Sequence, residues 1–284
     1  MGKQNVVITG ASTGIGYSAS KIFIENGCRV FGSVRKEADG EKLTGELGDN
    51  FIPLFFDVTN YSAIEAEAKK VEKAIGNEGL ACLINNAGIA VTGPLMHLSI
   101  DELRQQFEVN VFGLMAVTQA FLPMLGAKKD YAPSKGKIIN ISSVAGQTSM
   151  PFMGPYCGSK HALEGISNSL RRELLLYGID VVIVAPGPVK TPIWEKGIIK
   201  EMPAEILNSD YAPMLSRLMH EYKKEEKQAM EVDALSREIY KIFKAKRPKT
   251  HYVFRNNKFI KWTLPRYILP DRLVDGFIKK LLKF

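Results

Sequence analysis

The sequence predicts an α/β fold in which one parallel sheet is covered by helices on both faces. Three observations predict it. Short apolar runs alternate with segments of helical period, and a glycine-rich turn joins the first run to the first helix. The 284 residues also carry 45% hydrophobic content, enough for one large core. With no internal repeat and no linker-like stretch, residues 1–284 read as a single doubly wound domain.

The elements follow in order. Residues 5–9 (NVVIT) form a buried strand, and a helix runs from the glycine-rich turn to about Asn26. Residues 29–34 (RVFGSV) and 51–56 (FIPLFF) are the second and third strands. Ile64, Ala68, Val71 and Ile75 recur at helical spacing, with Glu65, Glu67, Lys69 and Lys70 on the opposite face. Residues 80–85 (LACLIN) are a fourth strand, followed by a long helix from about Ile100 to Leu125. Residues 127–136 are polar and read as a solvated loop before a fifth strand at 137–141 (KIINI). A helix beginning near Tyr156 continues through Leu163, Ile166, Leu170 and Leu174, and 181–184 (VVIV) is a sixth strand.

Two stretches carry chemistry. Gly10, Gly14 and Gly16 lie between the first strand and its helix, where glycine permits a tight turn and lets helix N-terminal amides approach a diphosphate. Ser12 and Thr13 add hydroxyl donors. Further on, Ser143 precedes Tyr156 by thirteen residues and Lys160 follows four later, on the same helical face as the tyrosine. An ammonium beside a phenol favours the phenolate, and lowering its pKa by about three units takes roughly 4 kcal/mol. Tyr156 then exchanges a proton with an alcohol or ketone whose oxygen Ser143 also hydrogen-bonds.

The blocks TGASTGIG at 9–16, NNAG at 85–88, Asn110, Ser143, Tyr156 with Lys160, and PGPV at 186–189 resemble the classical short-chain dehydrogenase/reductase family. The chain is similar to it from about residue 3 to 192, nearest to the hydroxysteroid and retinol dehydrogenase branches. The resemblance implies a Rossmann-type sheet of about seven strands, the last near His251–Arg255. It implies hydride transfer between a nicotinamide and a carbonyl or carbinol carbon. Tyr156 is then the general acid/base, Lys160 binds the nicotinamide ribose and lowers the Tyr156 pKa, and Asn110 holds a water in a proton relay. Asp57 contacts the adenine beside Val58, or else caps the following helix. Gly10, Ser12, Thr13, Gly14, Ile15 and Gly16 form the phosphate turn, and Asn86, Ala87 and Gly88 line the cofactor cleft. Pro186, Gly187, Val189 and Thr191 sit at the nicotinamide end. The resemblance also implies a homodimer or homotetramer.

Relatives that prefer NAD usually carry a carboxylate after the second strand, whereas this chain has Arg35 and Lys36, cations suited to a 2′-phosphate. NADP(H) is therefore the expected cofactor, with NAD(H) the alternative. Substrate contacts are expected from Ser143, Met150, Met153, Tyr156 and Trp194, and from a flap over about 193–226 rich in apolar residues. That favours an apolar, steroid- or retinoid-like ketone or alcohol. A reductase of acyl thioesters or pterins is an alternative, as is a non-catalytic NADP-binding sensor or scaffold.

Charge is uneven. Residues 241–284 carry 13 Lys/Arg against Asp271 and Asp275, so they hold +11 while the rest holds −3. The extension at about 256–284 is basic and amphipathic, fitting a membrane surface, a cover over the cleft, or a neighbouring subunit. No nucleic-acid motif accompanies it, and no nucleic-acid partner is expected. No uninterrupted apolar run reaches the roughly 20 residues of a membrane span. Cys28, Cys82 and Cys157 have no metal-like spacing, so no metal site is expected, and reduced thiols in a cytoplasmic protein are the default.

Overall fold

The computed structural model describes residues 3–198, 203–255 and 269–282. Seven strands form one parallel sheet: β1 (Asn5–Ile8), β2 (Arg29–Val34), β3 (Phe51–Phe55), β4 (Cys82–Asn85), β5 (Lys137–Ile141), β6 (Asp180–Pro186) and β7 (His251–Phe254). Their order is β3-β2-β1-β4-β5-β6-β7, with every neighbouring pair parallel. The chain moves outward one way from β1 and then returns to start again at β4. A crevice opens at the carboxyl ends of strands where such an order reverses.

Helices cover both faces. On one side α1 (Gly14–Glu25) and α9 (Val232–Lys244) bury Phe23, Leu235, Ile239 and Phe243 against Val6, Ile8 and Val184, with α2 (Glu37–Leu47) adding Leu43. On the other, α3 (Tyr61–Ile75), α5 (Leu114–Leu125) and the end of α6 (Gly154–Glu173) bury Val71, Phe121 and Leu170 on Val7, Leu83 and Ile138. The apolar period in each helix is what selects the buried face.

The expected long helix at 100–125 is three pieces. α4 (Ile100–Phe107) starts on a capping box between Ser99 and Glu102, a π-helical segment spans Glu108–Gly113, and α5 follows. Gly113 allows the close packing there, since a Cβ on it would lie 2.8 Å from the Val58 carbonyl. Together Ile100–Leu125 has the length and mean hydropathy of a membrane span, which the search for an uninterrupted apolar run did not suggest. Half of its most apolar window is buried inside the protein, as befits a core helix.

Two further expectations are corrected. The loop at 127–136 is not simply solvated: Tyr131 is half-buried and donates its hydroxyl hydrogen to the Met124 carbonyl. Asp57 does not cap α3, because Asn60 does so by accepting from the Ala63 amide at 3.1 Å. The flap holds α7 (Ala204–Leu207) and α8 (Ala212–Lys227). α10 (Asp271–Leu282) brings Ile278 onto the apolar cluster under α8, while Leu273 and Phe277 stay exposed. Ile199 and Met202 of the flap, and residues 256–268, 283 and 284 of the extension, lie outside the described residues.

Candidate active site

A cleft of about 390 Å³ runs along the carboxyl ends of β1, β2, β4, β5 and β6. Every site residue expected from the sequence lines it except Gly16, Lys36 and Asn110.

The glycine turn forms one end. Gly10 and Gly14 have φ of +66° and +58°, conformations that side chains with a Cβ rarely adopt. A Cβ on Gly16 would lie only 2.2 Å from the Gly10 carbonyl, so Gly16 shapes the turn from behind rather than facing the cleft. Ser33 Oγ accepts the Gly10 amide at 3.0 Å, while Thr9 Oγ1 accepts the Asn86 and Ala87 amides at 2.9 and 3.0 Å. The Asn86 side chain donates back to the Thr9 carbonyl at 2.9 Å. These bonds tie the turn to the strand-end segment 85–88, with the N-terminus of α1 facing the cleft. The sequence reading assigned no role to Ser33 or to Thr9, although Thr9 opens the TGASTGIG block.

At the same end Arg35 projects into solvent, its guanidinium 3.6 Å from the Asp57 carboxylate. Asp57 Oδ1 accepts the Thr59 amide and hydroxyl at 3.0 and 2.8 Å, which fixes it at the rim. Lys36, expected as a second cation, is exposed at the N-cap of α2 and outside the cleft wall.

The chemical residues converge at the other end. Tyr156 and Lys160, in α6, are both buried, and the Lys160 Nζ lies 5.8 Å from the centre of the Tyr156 ring. That ammonium donates to the Ile141 carbonyl at 2.8 Å, the last residue of β5. Ser143 Oγ accepts the Ala145 amide at 3.1 Å and hydrogen-bonds the Tyr156 hydroxyl. The expected lowering of the Tyr156 pKa is not found. Burial pushes the phenol up to about 12, opposed by the Ser143 hydrogen bond and slightly reinforced by Cys157. Burial likewise lowers Lys160 to about 8, with Glu164 pulling the other way. Tyr156 is therefore a protonated phenol at neutral pH.

Asn110 lies in the π-helical segment behind the cleft. Its Oδ1 accepts the Ile89 amide at 2.9 Å, and its Nδ2 donates to the Ile89 carbonyl at 3.0 Å and to Ser159 Oγ at 3.2 Å. Both amide hydrogens are thus committed within the protein. Gln106, one turn earlier and fully buried, repeats the arrangement. It accepts the Val91 amide at 2.6 Å and donates to the Ile89 carbonyl at 3.0 Å. Sequence reading missed Gln106, although its four-residue spacing from Asn110 was visible.

The wall beyond Tyr156 is apolar. Met153, Phe152, Trp194, Ile198, Ile206, Leu218 and Tyr222 pack with Tyr156 and Cys157, and Met150 borders them. Trp194 is pinned by its indole N–H to the Val189 carbonyl at 2.7 Å. Phe152 holds φ of +64°, a strained conformation for a bulky residue, and its carbonyl accepts the Gly93 amide at 2.8 Å. Among the described residues no group of acidic, Cys and His side chains is placed to hold a metal ion.

This fold and cleft define a doubly wound protein with a phosphate-type turn and a Ser-Tyr-Lys cluster facing one crevice. The chain belongs to the short-chain dehydrogenase family, whose model matches residues 4–201. It is 42% identical, over 98% of its own length and 96% of the relative's, to an NADPH-dependent 3-dehydrocapnine reductase of Ornithobacterium rhinotracheale. A 3-ketodihydrosphingosine reductase of Bacteroides thetaiotaomicron is 33% identical over 87% of this chain and 86% of that protein. The fold matches a short-chain dehydrogenase from Streptomyces avermitilis with a TM-score of 0.75 and 23% identity, covering 100% of this chain and 96% of that one.

Proposed function

We propose that the protein is an NADPH-dependent reductase of ketones with a large apolar body, and that 3-keto compounds of the kind named for its relatives are closer to its substrate than steroids or retinoids. The carrying observation is the convergence of Ser143, Tyr156 and Lys160 at one end of a cleft whose other end is the Gly10–Gly16 turn. The residues fit a dinucleotide. The turn closes where a Cβ on Gly16 would fill the space, α1 presents its N-terminus, and Arg35 offers a fork for a 2′-phosphate. NADP(H) rather than NAD(H) follows from that cation and agrees with the NADPH dependence in the relative's name.

When bound, the reduced nicotinamide supplies a hydride to the carbonyl carbon. Tyr156 donates its phenolic proton to the carbonyl oxygen as negative charge gathers there, and Ser143 hydrogen-bonds the same oxygen. Lys160, 5.8 Å from the Tyr156 ring, stabilises the phenolate left behind. The high pKa of the phenol suits the reductive direction, which needs the protonated form. Asn110 and Gln106 act by holding residues 89–91 against α6.

We read residues 1–284 as one catalytic domain, with 193–226 as its flap and α10 as a brace on α8 rather than a membrane anchor. The three cysteines are buried and free. The test follows NADPH oxidation with 3-ketodihydrosphingosine, 3-dehydrocapnine, a ketosteroid, retinal and an acyl thioester, with Tyr156→Phe as the blank. Turnover centred on a 3-keto compound and lost in the variant supports the reading. Turnover centred on the thioester overturns the substrate class, and tight NADPH binding without any turnover favours a sensor.

A further inference from the structure

The turn of α6 that follows Lys160 carries a carboxylate that the chemistry above does not use. Glu164 lies four residues after Lys160, on the same face of the helix, and its side chain is only 15% exposed. Ser142 Oγ, itself in a buried residue, donates to Glu164 Oε1 at 3.0 Å. Two successive residues at the end of β5 are therefore gripped by two successive turns of α6. The Ile141 carbonyl takes the Lys160 ammonium at 2.8 Å, and the Ser142 hydroxyl binds Glu164. Ser143, which hydrogen-bonds Tyr156, is the next residue along. Gly146 keeps room for the carboxylate, since a Cβ there would lie 3.0 Å from Glu164 Oε1 and 2.8 Å from Ser142 Oγ. On the outer side His251, at the start of β7, brings its Nε2 to 3.4 Å from the same carboxylate oxygen and 2.9 Å from Gln147 Nε2. Among the described residues the titratable groups facing Glu164 are thus Lys160 from its own helix and His251 from β7, and those facing Lys160 are Glu164 and Tyr156.

We infer that Glu164 is a positioning residue for the Ser-Tyr-Lys cluster: held by Ser142, its carboxylate is the counter-charge that keeps the buried Lys160 a cation while Tyr156 gives up its proton. This rests on the reading of the cleft as a ketone-reducing site. Burial works against the ammonium, and the negative charge of Glu164 is what opposes burial. An uncharged amine could not stabilise the phenolate. Water and salt screen a side chain so little exposed only weakly, so the charge is felt across one helical turn. A purely structural tie between α6 and the end of β5 would need only the hydrogen bond with Ser142, which a neutral amide oxygen accepts equally well. Glu164→Gln separates the two roles, because it keeps the acceptor and removes the charge.

The test reads the charge on Lys160 apart from turnover. Lysine side chains are labelled with carbon-13 at Cε, and the NMR signal that disappears in Lys160→Met is followed against pH. In wild type it should titrate near pH 8, and in Glu164→Gln at least about one unit lower. In parallel, kcat/KM for 3-ketodihydrosphingosine at saturating NADPH is measured from pH 6 to 10. Wild-type activity should fall above about pH 8 as Lys160 loses its proton, and the fall should move down in the variant with the NMR titration. A one-unit move lowers turnover at pH 8 about fivefold. Circular dichroism reports folding. Should Glu164→Gln misfold, Ser142→Ala frees the carboxylate without removing it and should displace the titration less, in the same direction. An unmoved Lys160 titration in the folded variants overturns the inference, as does a moved titration with an unmoved rate profile. A moved titration in a protein whose wild type turns over no ketone sinks the reductase reading alone, and Glu164 remains the counter-charge of Lys160.

Discussion

Lys160→Met should make the protein more stable and catalytically dead. The ammonium is buried, and its pKa falls from 10.5 to about 8 despite the favourable charge of Glu164. That fall corresponds to roughly 3 kcal/mol of net cost for keeping the charge inside. Methionine of similar length removes it, at the loss of the 2.8 Å hydrogen bond to the Ile141 carbonyl, worth about 1–2 kcal/mol. Glu164 is not stranded, since its carboxylate also accepts from Ser142 Oγ at 3.0 Å. The balance is a gain of about 1–2 kcal/mol, or roughly 2–3 °C in Tm for a chain of this size.

The sign with pH follows from linkage. The folded pKa lies below the unfolded one, so the cost is fully present below pH 8 and fades as pH rises from about 8 toward 10.5. Melting curves of wild type and variant at pH 7, 8, 9 and 10 should show a gap that narrows steadily. A lower Tm for the variant at pH 7, or a gap constant with pH, would refute the claim that burial dominates at Lys160.

Three other outcomes are expected. Tyr156→Phe removes the proton donor and should cut turnover by about 10²–10⁴ while NADPH affinity, read by fluorescence, holds; retained turnover would move the acid elsewhere. Arg35→Ala should weaken NADPH binding at least about tenfold more than NADH binding, because a charge-assisted bond to the 2′-phosphate is lost; equal losses would remove Arg35 from cofactor choice. Gly16→Ala drives a Cβ against the Gly10 carbonyl and should abolish dinucleotide binding, with a lower Tm; unchanged NADPH titration would show that the turn tolerates a different path.

The sequence made the site legible where chemistry and spacing coincide, and less so where burial sets the role. Tyr156, Lys160 and Ser143 share a cleft because four residues make one helical turn and β5 delivers the serine beside it. What a linear reading lacks is the surroundings. It set the ammonium against the phenol and concluded that the pKa falls, but burial raises it, and what opposes burial is the hydrogen bond with Ser143. It did not reveal that the Asn110 side chain is held by the backbone of Ile89. Lys36 was expected as a second cation beside Arg35, yet at the N-cap of α2 it lies outside the cleft wall.

One cause links the high pKa of Tyr156 to the shape of the substrate end. The phenol is protonated because Phe152, Met153, Trp194 and the flap helices exclude water from it, and those groups also make the apolar wall. A site opened to solvent would relax the phenol toward its ordinary value and lose the wall that holds the substrate. Catalytic proton donation and apolar specificity are therefore not independent traits here. Residues that close the flap, such as Ile206 and Leu218, which do not line the cleft itself, should act on both at once. The Phe152 carbonyl, held by the Gly93 amide, and the paired grip of Gln106 and Asn110 on residues 89–91 brace the segments from which that wall is built.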